Sequence, residues 1–179
     1  LWKIGDSLAA PKFNLVASPN DWAKVVKTTV NNGELSETKK AHLDFWNAFK
    51  THMEESGTSL KLRQARPQHW FNLAVARSKF NIALTTNTQS KQIGCEIYIR
   101  GEKAKEAFSQ LEQQKEEIEA ILGQLEWHEL PDGQDCRIKI SRDGDSKNRH
   151  QWHDLHSWLK VESEAFLEVF SMRIKALNL

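Results

Sequence analysis

The chain has 179 residues, 39% of them hydrophobic and 27% charged, with a formal net charge of +1. That length suits one domain with its own core, and the composition excludes an intrinsically disordered chain. The near-zero charge gives the whole domain no electrostatic mark of nucleic-acid binding, so any such role has to come from local clusters.

Residues 1–17 are irregular and read as a linker from a missing N-terminal domain; residues 18–179 read as a single α+β domain. Ser18-Pro19 opens a first helix, because serine caps and proline suits the first helical position. That helix runs to about Thr28, and Asn31-Asn32-Gly33 ends it. Ser36 is the next N-cap, for a helix over 37–55 stopped by Gly57. His42, Phe45, Trp46, Phe49 and Met53 recur at helical spacing and make its buried stripe.

A basic loop covers 58–68, with Lys61, Arg63 and Arg66 and no acid among them. Three short strands follow, at 70–75, 80–85 and 93–100. In the second, Phe80, Ile82 and Leu84 alternate with Asn81, Ala83 and Thr85. In the third, Ile93, Cys95, Ile97 and Ile99 alternate with Gly94, Glu96, Tyr98 and Arg100. The intervening links, Arg77-Ser78 and Asn87-Thr88-Gln89, make them an antiparallel meander.

One helix is expected over 102–122, with Ala104, Phe108, Leu111, Ile118 and Leu122 buried, Lys115 snorkelling outward, and the run of glutamates solvated. Strand four spans 125–130. Strand five points Cys136, Ile138 and Ile140 inward and Arg137, Lys139 and Ser141 outward. A last helix over 150–177 would run about 42 Å, long enough to bend or to reach beyond its own domain. The fold expected is an antiparallel meander of about five strands with helices on one face, in the order α-α-β-β-β-α-β-β-α.

Seven tryptophans read mainly as core residues. No apolar run approaches eighteen residues, and no signal peptide is visible. Cys95 and Cys136 lack ligand spacing and read as buried free thiols in a reducing cytosol, so a cytoplasmic location is expected.

The order helix, three strands, helix, strand resembles the layout of the PD-(D/E)XK nuclease core. That resemblance implies an acid on strand two and Glu-x-Lys on strand three, with Mg²⁺ held between carboxylates. Strand two here offers only Asn81 and Asn87, and strand three offers Glu96-Ile97-Tyr98. Glu96 is therefore the one catalytic candidate. Its plain alternative is a solvent-facing residue paired with Arg100 or a neighbouring base. No other metal or cofactor is expected: His150, His153 and His156 stand at i, i+3 spacing without a completing ligand, and Lys147 and Arg149 spoil the calcium-like Asp143-Gly144-Asp145.

Binding is the stronger reading. Lys61, Arg63, Arg66 and His69 would lie beside a polar sheet face carrying Asn81, Thr85, Glu96, Tyr98 and Arg100, joined by Arg137 and Lys139. The cations suit phosphates, and Tyr98 or Trp70 could stack bases of DNA or RNA. Alternatively, Phe166, Val169 and Phe170 of the long helix would pair two copies as a homodimer.

The stretches Pro19-Asn20-Asp21-Trp22, Arg66-Pro67-Gln68-His69-Trp70, Gly94-Cys95-Glu96-Ile97-Tyr98-Ile99 and Leu125-Glu126-Trp127-His128-Glu129-Leu130 together resemble the prokaryotic domain-of-unknown-function 4268 family. Trp158-Leu159 and Ile174-Lys175-Ala176-Leu177 belong with them. The resemblance implies the C-terminal half of a larger protein, with Leu1-Trp2-Lys3-Ile4-Gly5-Asp6 at the join. Its N-terminal half, a PD-(D/E)XK-like nuclease domain, would be the partner within the same chain. It carries no catalytic residue over to this half, so the reading is a non-catalytic accessory domain.

Overall fold

The computed structural model describes residues 35–130 and 133–179. The helix expected over 18–28 and the linker 1–17 lie outside the described residues. Helix α1 (Glu37–Ser56) starts where the Ser36 side chain accepts from the Lys39 N–H, and it stops at Gly57, whose φ of 72° few other residues adopt. Its stripe of Phe45, Trp46, Phe49 and Met53 is fully buried.

Strands β1 (Trp70–Ala74), β2 (Phe80–Asn87) and β3 (Gln92–Ile99) form the expected meander. Asn87 shapes the second turn by accepting from the Gln89 and Ser90 N–H groups. After two helices the chain returns as a hairpin, β4 (Glu126–His128) and β5 (Cys136–Asp143). The longer strand β5 pairs with β3 and the short β4 takes the edge, giving an all-antiparallel sheet in the order β1-β2-β3-β5-β4.

The helix expected over 102–122 is two helices, α2 (Ala104–Glu112) and α3 (Lys115–Leu122). Gln114, at φ −104° and ψ 15°, leaves the α region. A continuous helix would set Lys115 on the buried stripe. The break instead lets its ammonium lie 5.7 Å over the Trp127 ring while Phe108, Leu111, Ile118 and Leu122 stay buried. The last helix begins as a 3₁₀ turn (Arg149–Gln151) and continues as α4 (Trp152–Ala176).

The helices meet one face of the sheet. Trp46 and Phe49 pack on Phe71 at ring separations of 5.7 and 5.6 Å, and Phe108 packs on Trp127 at 5.8 Å. The aliphatic side chains Ile82, Leu84, Ile93, Ile97 and Ile138 fill this layer, each worth ~1.5–3 kcal/mol relative to exposure. Phe166, Val169 and Phe170, which the dimer alternative would make interface residues, are buried in this layer, where α4 lies over β2 and β3. No described helix is long and apolar enough to cross a membrane.

Candidate nucleic-acid interface

The basic loop is anchored rather than loose. Leu60 and Ala65 are buried, so the intervening Lys61 and Arg63, and then Arg66, point outward. Three bonds fix its ends. Thr58 donates to Glu164 at 2.8 Å, the Gln68 N–H reaches back across Pro67 to the Arg66 carbonyl at 2.8 Å, and the Trp46 indole donates to the Gln68 carbonyl at 2.8 Å. The second is a three-residue turn of the kind proline favours at its centre.

This geometry forms a cleft of about 360 Å³ lined by Arg63, Gln64, Arg66, Gln68, Trp70 and Asn72. Neither arginine has an acidic partner among the described residues. His69 is exposed and sets its ring edge-on to Trp70 at 4.5 Å. Gln64, Gln68 and Asn72 were not anticipated. Asn72 was recoverable, because it stands two residues from Trp70 on the same face of β1. Lys61 is exposed on the same loop but does not line the cleft.

On the sheet face away from the described helices, the register aligns Asn72, Ala83, Glu96 and Lys139 in one row and Ala74, Asn81, Tyr98 and Arg137 in the next. The Arg137 guanidinium lies 5.2 Å over the Tyr98 ring. The Tyr98 hydroxyl donates to Asp135, a residue not anticipated from sequence, and that hydrogen bond, helped by burial, pushes the phenol pKa up. Lys139 is held 3.4 Å from Glu126, which also accepts from Ser141 at 3.0 Å. The cations on this face are thus largely engaged.

Glu96 departs from expectation. It is 6% exposed rather than solvent-facing, and the neighbouring base it meets is Arg137, at 4.0 Å. Its neighbours across the sheet are Ala83 and Lys139. Burial pushes its carboxyl pKa up, against the pull of Arg137, Lys139 and His128.

Arg100 does not join Tyr98. It turns into a separate cleft at the end of the sheet with Arg77, Lys79 and Lys103. Among the expected histidines, His150 is exposed on the 3₁₀ turn, His156 is buried against Phe45, and His153 meets His52 of α1 at 5.5 Å. Among the described residues, no group of three or more His, Cys, Asp or Glu is arranged to hold a metal ion.

These observations define an α+β domain with a helix-covered sheet and an anchored basic loop at one end. The chain belongs to the domain-of-unknown-function 4268 family, whose model, "Domain of unknown function (DUF4268)", matches residues 41–174. No curated protein and no solved structure matches it.

Proposed function

We propose that this domain is a non-catalytic module that contacts nucleic acid, DNA or RNA, as an accessory to a nuclease-like parent protein. The observation that carries the reading is the cleft of Arg63, Arg66 and Trp70: two cations without acidic partners among the described residues flank an aromatic ring. Guanidinium groups suit phosphate oxygens, and an indole face takes any base. The three side-chain amides around the ring can hydrogen-bond base edges, which favours an unpaired base over a closed duplex.

A Mg²⁺-dependent nuclease on Glu96 has the local charge against it. A cation ligand needs an ionised, converging set of oxygens. Glu96 faces Arg137 and Lys139, and burial favours its neutral form. Buried, unbridged Cys95 and Cys136 fit a cytoplasmic setting.

The test is fluorescence anisotropy of a labelled single-stranded oligonucleotide against wild type and Trp70→Ala. Loss of one base stack is worth about 1–3 kcal/mol, roughly a five- to 150-fold loss of affinity. Equal binding by a variant that melts like wild type would remove the cleft from the reading.

A further inference from the structure

The second cleft lies between the β1–β2 loop, the end of β3 and the start of α2, and encloses about 930 Å³. Its lining includes Arg77, Lys79, Arg100, Gly101, Glu102 and Lys103. Two of these cations are already engaged. Arg77 donates to the carbonyl oxygens of Leu177 and Lys175 at 3.0 and 2.7 Å, and Lys103 pairs with Glu106 at 2.7 Å. Lys79 and Arg100 have no acidic partner among the described residues.

Lys79 is also in an unusual backbone state. Its φ is 75°, in the left-handed region, and Ala76 of the same loop is at 45°. That conformation is strained for a non-glycine residue, and glycine or asparagine is the ordinary occupant. A lysine there places its side chain along Gly101, with Nζ 4.0 Å from where a Cβ on that glycine would stand. The Arg100 N–H donates to the Lys79 carbonyl at 2.9 Å, which locks the two cationic residues side by side.

We propose that this cleft binds a phosphate monoester, with its phosphate between the Lys79 ammonium and the Arg100 guanidinium. A guanidinium fork and an ammonium point charge match the oxygens of one tetrahedral phosphate. The volume has room for the group that carries it. Glu102 on the same rim works against an anion, so the attraction has to come from the Lys79–Arg100 pair. The proposal does not depend on the Trp70 cleft. The phosphate could come from a free ester or from the 5′ end of a strand, and the test separates these.

Amide shifts of ¹⁵N-labelled protein are followed during titration with inorganic phosphate and with adenosine 5′-monophosphate. Wild type should show saturable shifts at Gly101 and Arg100. Lys79→Gly should be at least as stable as wild type, because glycine relieves the left-handed strain, yet bind about tenfold more weakly, as should Arg100→Gln. No saturable shift at millimolar ligand, or affinity unchanged in both variants, would overturn the proposal. A companion titration compares 5′-phosphorylated and 5′-hydroxyl oligonucleotides. Preference for the phosphorylated strand, lost in both variants, supports a strand end as the source. Equal affinity for the two strands, with the monophosphate still bound, supports a free ester.

Discussion

Trp46, wholly buried in α1, donates its indole N–H to the Gln68 carbonyl at 2.8 Å, so the core helix directly holds the end of the basic loop. Trp46→Phe keeps an aromatic ring but leaves that carbonyl unpaired and a void beside Phe71. A cost of about 2 kcal/mol is expected, read as a lower urea midpoint. Oligonucleotide affinity should also fall, although Trp46 does not line the cleft.

His156 gives the fold a dependence on acid. Burial between α1 and α4, with His52 nearby, lowers its pKa from 6.5 to about 4, despite a hydrogen bond to the Phe45 backbone that pulls the other way. The folded state therefore binds fewer protons than the unfolded state between those values. Its contribution is fully present above pH 6.5 and is lost as pH falls towards 4, by about 3 kcal/mol in total. His42 and His52, also lowered chiefly by burial, act in the same sense. Chemical denaturation across this range should show the slope, and His156→Phe should flatten it.

Glu96 predicts the opposite sign. Its folded pKa is raised by burial above its ordinary 4.5. The stability it contributes is present below that value and is lost as pH rises through the folded pKa. Glu96→Gln should therefore be more stable than wild type at neutral pH, with the gain vanishing in acid. A variant less stable at pH 7 would mean that the Arg137 contact outweighs the burial.

Gly94 lies between Thr85 of β2 and Ser141 of β5 in the sheet register. A Cβ there would meet Thr85 Oγ1 at 2.9 Å and the Ile140 carbonyl at 3.2 Å. Gly94→Ala should cost about 1–3 kcal/mol. Adding Thr85→Ala should restore part of this, since it removes the side-chain contact and leaves the backbone one. Thermal melts of the single and double variants read the difference.

The sheet was legible because its alternation is local: Ile93, Cys95, Ile97 and Ile99 declare one face without reference to anything else. The anchored loop was legible only as charge. Its rigidity comes from Trp46 and Glu164, distant in sequence. Glu96 misled because alternation alone puts it on the polar face of β3 and says nothing of its burial; its neighbours Ala83 and Lys139 come beside it only through the strand register. The break at Gln113–Gln114 was hidden because a single helical stripe fits both halves. Arg100 looked like a neighbour of Tyr98 by alternation, but β3 ends at Ile99 and Arg100, bonded to Lys79, lines the cleft at that end of the sheet.

Charge reversal of the basic loop is the most direct measurement. Lys61→Glu/Arg63→Glu/Arg66→Glu alters exposed side chains and leaves the Leu60 and Ala65 anchors in place, so the fold should survive. Binding of a single-stranded oligonucleotide is measured by anisotropy across a salt series at low ionic strength. Affinity should collapse in the variant, and the wild-type salt slope should carry about 0.7 per phosphate neutralised. Unchanged affinity and slope in a folded triple variant would contradict the assignment of this surface to nucleic acid.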